Sequence, residues 1–125
     1  MGFLDKWQPQ LLSVLRIVSG LLFLEHGTSK LFQFPSAAMG AHLPPLVVAA
    51  GIIELVGGAL VTLGFFSRYA AFIMSGEMAV AYWMVHVPKG GFYPTVNGGD
   101  AAILFCFVFL YLAAAGPGPW SLNKR

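Results

Sequence analysis

Four stretches of this chain, near residues 9 to 31, 46 to 66, 68 to 87 and 98 to 116, are almost continuously apolar, and each carries at least one ionisable side chain. A helix needs roughly 20 residues to cross a hydrocarbon core about 30 Å thick, so each stretch has the length of a transmembrane helix. The expected fold is all-α, an integral membrane four-helix bundle forming a single domain over residues 1 to 125. Composition agrees: 58% of residues are hydrophobic and only 10% charged, where soluble domains carry about one quarter charged. A chain this short has no room for a large catalytic head.

Turn formers punctuate the spans. Pro44-Pro45 opens the second, Gly64 and Ser67-Arg68 turn it into the third, Pro88-Lys89-Gly90-Gly91 ends the third, and Gly116-Pro117-Gly118-Pro119 closes the fourth. Trp120, and with it Trp7 and Trp83, suits an interfacial anchor, although Trp83 also suits packing inside the bundle. With the amino terminus inside, Lys6, Arg68, Lys124 and Arg125 face the cytoplasm against Lys30 and Lys89 on the other side, so the positive-inside bias favours both termini in the cytoplasm. The two longer connections, about 32 to 45 and 88 to 97, then share the outer face. The start of the chain does not read as a cleavable signal, because Arg16, Glu25, His26 and Lys30 interrupt the apolar run, and Lys6 rules out a myristoylation motif at Gly2.

Several chemistries are excluded early. The seven basic residues are spread thinly for a net charge of +2, so there is no nucleic-acid patch. Cys106 is the only cysteine, which rules out an internal disulfide, a redox pair or a thiolate cage; in the run FCFVFLY it reads as a buried apolar residue. His26, His42 and His86 share no helical ligand spacing, and no metal is expected.

Ionisable groups in the bilayer cost about 2.5 to 3.5 kcal/mol each on insertion scales and so tend to face inward with partners. Here they are Arg16, Glu25, His26, Lys30, Glu54, Glu77, His86 and Asp100. Helical phase places Arg16, Gly20, Phe23, Gly27 and Lys30 on one stripe with His26 at its edge, while Glu25 points away toward the interface or a neighbouring subunit. Depth and side-chain lean suggest three acid-base couples: Arg16 with Glu77, His26 with Glu54, and Lys30 with Asp100. Two readings stay open. The charges either fix helix register alone, or line an outer-half polar pocket formed by Arg16, His26, Lys30, Glu54, Glu77, His86 and Asp100.

Small residues describe how the helices approach. Ser67, Ala71, Ser75 and Ala79 recur every four positions, and Gly51, Gly57 and Gly58 notch the second span. Glu77 lies nearly opposite Ser75, so one face of the third helix packs and the other looks toward the polar cluster. Between the last two spans, Asn97 suits a helix cap and Asp100 complements the helix dipole; the alternative is a lid that presents Phe92 and Tyr93 over the outer mouth.

Taken in order, LRIVSGLLFLEHGTSKLFQFP, GIIELVGGALVTLGFFSRYAAF, EMAVAYWMVHVPKGGFYPTVNGGDAAILF and GPGPWSL resemble the DoxX family of small four-helix membrane proteins over nearly the whole chain. The carriers are Arg16, His26-Gly27 with Lys30, Glu54 with Gly57-Gly58, Gly64, Arg68, Glu77 with Ala81, His86, Asn97-Gly98-Gly99 and Gly116-Pro117-Gly118. Asp100 stands where the family often has Glu, which shortens its reach toward Lys30. The namesake is a membrane subunit of a thiosulfate:quinone oxidoreductase. The resemblance therefore implies a bacterial inner membrane, a redox protein partner and a quinone or small polar ligand, but no catalytic residue. With no flavin or haem signature in the chain, an electron carrier has to come from a partner or a diffusible ligand. A scaffold subunit of a membrane complex or a homo-oligomer is the competing expectation. A small transporter is disfavoured, because the spans are neither broken nor repeated in inverted order.

Overall fold

A computed structural model of the chain describes residues 1–35 and 43–125. His42 and the middle of the first long connection lie outside the described residues. Among those described there is no strand. The principal elements are α1 (Gln8–Phe32), α2 (Pro45–Leu63), α3 (Ser67–Ala81) and α4 (Asp100–Ala115). Helix α3 runs on through one wide π-turn, Tyr82–His86, into Val87–Gly90. Three helices are long and apolar enough to cross a membrane: Gln8–Phe32, Pro45–Leu63 and Ser67–Gly90. The fourth, at 16 residues, rises only about 24 Å, because Gly98 in the left-handed region (φ 75°) and Gly99 hold the chain in a turn where the sequence suggested helix.

Local chemistry explains the ends. Pro45 sits in the first turn of α2, where a missing N–H costs nothing. Gly64 at φ 69° closes that helix, its N–H reaching back to Leu60 and Val61. Both termini and the α2–α3 turn gather at one end, here the tail end, where Trp120 N–H donates to Ser13 Oγ and Arg68 N–H donates to Arg125 O. The connections after α1 and α3 occupy the opposite, loop end.

The core is thin and the outside greasy. Phe23, Val61, Met74 and Phe109 are fully buried at its centre, whereas Val18, Ile52, Phe72 and Phe107 stand exposed around the perimeter. A soluble monomer rarely leaves so many large apolar side chains in water, but lipid solvates them. Trp7, Trp83 and Trp120 all lie on the surface, which settles Trp83 as an outward-facing ring.

Glycine sets the α1–α2 distance. A Cβ on Gly58 would stand 2.7 Å from Leu24 N, and one on Gly27 2.5 Å from Leu55 N. The small residues of α3 serve the α3–α4 contact as their spacing suggested: Ser67, Ala71 and Ser75 are buried, and Ser75 Oγ donates to Cys106 O at 2.7 Å. Cys106 itself is only half-buried, beside that hydroxyl.

Candidate functional site

Between the four helices, toward the loop end, lies a cavity of about 690 Å³. Helix α1 contributes Phe23, His26 and Lys30, α2 contributes Ile53 and Glu54, α3 contributes Gly76, Glu77 and His86, and α4 contributes Ala102 and Phe105. Five of the seven sequence-derived pocket residues thus meet on or beside one space, counting His26, Lys30, Glu54, Glu77 and His86. Arg16 and Asp100 do not line it.

The charge pairing differs from the expected one. Lys30 Nζ donates to Glu54 Oε1 at 2.6 Å, with Glu54 only 1% exposed. This is the ion pair among the described residues. The expected His26–Glu54 couple fails because Gly27 abuts the backbone of Glu54 and Leu55. At that approach the neighbouring His26 turns toward α4, edge-on to Phe105 at 5.9 Å, and Lys30, one turn on, spans the gap with its long side chain. Asp100 is exposed in the first turn of α4 and forms no ion pair with Lys30.

Glu77 lies beside Glu54, with Lys30 acting on it as the cation. One of its oxygens, Oε1, is buried with no hydrogen-bond partner. Two carboxyl groups within hydrogen-bonding reach of each other therefore share a single ammonium, and all three residues line the cavity.

The expected Arg16–Glu77 couple is also absent. Arg16 is 1% exposed, facing inward as its phase required, but its guanidinium serves backbone carbonyls at the tail end. Nε donates to Val61 O at 2.9 Å, Nη2 to Trp120 O at 2.5 Å, and Nη1 to Pro117 O. Val61 O accepts from the Gly64 N–H with one lone pair only and lies at the negative end of the α2 dipole, so its second lone pair takes the place of a carboxylate. Arg68 does the same for α4, donating to Ala113 O at 3.2 Å and Ala114 O at 2.8 Å. Sequence reasoning placed Arg68 only in a turn; the nearby Gly116 was the available signal, since a Cβ there would meet Arg68 Nη2 at 2.5 Å.

At the loop end, Asn97 is buried and knits the connection together instead of capping α4. Its amide donates to Gly91 O at 2.7 Å and to Tyr82 Oη at 3.2 Å, and its Oδ1 accepts from Gly99 N–H. The π-turn brings Tyr82 and His86 to this network. His86 Nδ1 lies 3.3 Å from Asn97 O; a carbonyl only accepts, so Nδ1 is the protonated nitrogen in that contact and Nε2 is left for the cavity. Phe92 and Tyr93 meet edge-on, Phe92 also lies tilted against Trp83, and neither lines the cavity. Glu25 is exposed and points away from the site, as its phase required. No cluster of three metal-ligating side chains exists among the described residues.

Gly76 stands apart from the other glycines of the four long helices. Gly20, Gly27, Gly51, Gly57 and Gly58 each have a neighbour within 3.0 Å of a built Cβ, whereas Gly76 has nothing within 4 Å. No intrachain contact explains a helix-weakening residue there. Gly76→Ala is therefore expected to stabilise the folded chain by about 0.5 to 1 kcal/mol, read from unfolding in mixed detergent micelles; a destabilised variant would show that the position is constrained by packing.

An all-helical chain with an apolar perimeter, multiple membrane-length helices and a polar cavity defines a small multi-pass membrane protein. It belongs to the DoxX family, whose model matches residues 11–87, so α4 and the tail lie beyond the matched segment. An uncharacterized protein of Haemophilus influenzae is 43% identical over all of this chain and 97% of its own length. The inner membrane protein YphA of Escherichia coli is 29% identical over 94% of the chain and 91% of its own, and the uncharacterized membrane protein Rv3486 of Mycobacterium tuberculosis 27% over 94% and 82%. No solved structure matches.

Proposed function

We propose that the protein is an inner-membrane subunit of a redox system that binds a quinone or small polar ligand in the cavity beside Lys30, Glu54 and Glu77. The observation that carries this reading is the cluster of Lys30, Glu54 and Glu77 lining a 690 Å³ space, a volume in the range of small-molecule sites. The residues suit both redox forms of a quinone: the Lys30 ammonium has donors left for a carbonyl of the oxidised form, and the carboxyl pair can accept from a hydroxyl of the reduced form. Electron chemistry belongs to such a ligand and to a protein partner, while this chain binds, orients and shields. In this reading α4 also spans the bilayer, giving four crossings with both termini cytoplasmic and the cavity in the outer half. The clustering of Lys6, Arg68, Lys124 and Arg125 on the tail side supports that orientation. The Escherichia coli relative, an inner membrane protein, supports the membrane assigned.

The test is extraction of the purified protein and mass spectrometry of what co-purifies. Glu54→Gln and Glu77→Gln are each expected to lower ligand retention at least tenfold. Unchanged retention in both variants overturns the pocket reading and leaves the chain a scaffold, whose charges only set helix order.

A further inference from the structure

At the tail end, α3, the last turn of α4 and the tail border a hollow of about 470 Å³ lined by Arg68, Tyr69, Phe72, Ile73, Ala113 and Arg125. Backbone contacts fix both arginines there. Arg68 Nε donates to Lys124 O at 3.1 Å and its Nη1 to the α4 carbonyls already described. Arg125 O accepts from the Arg68 N–H at 3.0 Å, in the first turn of α3. The Arg125 guanidinium lies 5.7 Å from the Phe66 ring, and among the described residues no carboxylate side chain pairs with either arginine. Carbonyls orient a guanidinium without neutralising it, so two positive charges border the hollow without a side-chain counter-charge. Lys6 and Lys124 add to this end, against Asp5 alone. Tyr69, Phe72 and Ile73 are each more than half exposed and share one outward face of α3, starting from its first turn.

We propose that this hollow seats the phosphate of a net-anionic phospholipid between Arg68 and Arg125, with its acyl chains lying along Phe72 and Ile73. The inference uses a different part of the chain from the cavity and stands or falls independently of the cavity reading. Three arguments choose the occupant. Guanidinium groups bind phosphate oxygens as planar forks, and basic hollows at the ends of transmembrane helices are where anionic head groups collect. A zwitterionic head brings its own ammonium toward two guanidinium groups, whereas a glycerol head adds only hydroxyls. The apolar face of α3 continues from the charged rim toward mid-helix, as a lipid does from head to tail, and a tyrosine at that rim suits the interface. A second copy of this chain would bring the same basic end and meet it with like charge.

The test uses the full chain in detergent micelles, with lipid binding read by native mass spectrometry for dioleoyl phosphatidylglycerol and dioleoyl phosphatidylcholine. Phosphatidylglycerol is expected to bind at least fivefold tighter. Arg125→Gln is expected to lower that preference at least threefold with the unfolding midpoint unchanged, because its guanidinium serves no backbone carbonyl. Arg68→Gln is expected to lower preference and stability together, since Arg68 also holds the end of α4. Lys6→Gln removes an equal charge from the same end outside the hollow and is expected to leave the preference unchanged. Equal binding of the two lipids overturns the inference. Equal losses in Lys6→Gln and Arg125→Gln also overturn it, because diffuse surface charge then accounts for the preference. Displacement of the bound lipid by excess inorganic phosphate reduces the hollow to an anion site, and displacement by a hexaglutamate peptide makes it a docking site for an acidic protein; in either case the inference fails.

Discussion

Arg16→Leu is expected to destabilise the folded chain by about 4 kcal/mol, measured by unfolding in mixed detergent micelles. The guanidinium joins three parts of the chain at once: α1 through its own backbone, the last turn of α2 through Val61 O, and the tail through Pro117 O and Trp120 O. Leucine removes all three donations at a buried site and leaves Trp120 O with no other donor, while Val61 O keeps Gly64 N–H and Pro117 O keeps Ser13 Oγ; each lost bond from a charged donor costs about 1.5 to 3 kcal/mol. Ser13 holds part of the tail independently, accepting from Trp120 N–H and donating to Pro117 O, which keeps the loss below the full sum. Arg16→Lys is expected to recover less than half, because one ammonium cannot reproduce the planar fork that reaches both helix and tail. Limited proteolysis offers a second reading, with cleavage beyond Gly116 expected in the leucine variant first. A leucine variant as stable as the parent would show that the tail is held by other contacts.

Gly58→Leu is expected to cost roughly 3 kcal/mol by the same measurement, from overpacking of a rigid contact. The atoms a side chain would meet are all backbone: Leu24 N at 2.7 Å, Leu24 Cα at 2.9 Å and Gly20 O at 3.0 Å. No rotamer change relieves that clash, so α1 and α2 have to separate. The consequence reaches the cavity, because Lys30 and Glu54 are brought together across this same helix pair. Ligand retention is therefore expected to fall with stability in Gly58→Leu, in contrast to Gly76→Ala, where stability rises. Loss of neither in the Gly58 variant would show that the α1–α2 contact tolerates expansion.

The contrast between these glycines shows how far the sequence can be read. Apolar length placed α1, α2, and α3 with its continuation to Gly90, within three residues of their ends, and the Pro44-Pro45 and Gly64 boundaries followed from proline's missing donor and glycine's left-handed backbone. Helical phase correctly turned Arg16, Lys30 and Gly27 inward and Glu25 outward. Which glycine packs and which stands open was not visible, since Gly58 and Gly76 are the same residue in similar apolar surroundings. Nor did the sequence show the π-turn that carries Tyr82 and His86 to Asn97.

The sequence by itself determined a helical membrane protein with ionisable groups on inward faces, because lipid penalises exposed charge and the helical period converts spacing into direction. Only the tertiary structure decided which group each charge meets. Close backbone contact at Gly27 turned His26 aside and gave Glu54 to Lys30, while the carbonyls at the end of α2 took Arg16 from Glu77. The physical reason is that pairing depends on interhelical distance and rotation to within an ångström or two. The partners of Arg16 and Arg68 are backbone carbonyls, which every residue carries and no residue letter reveals.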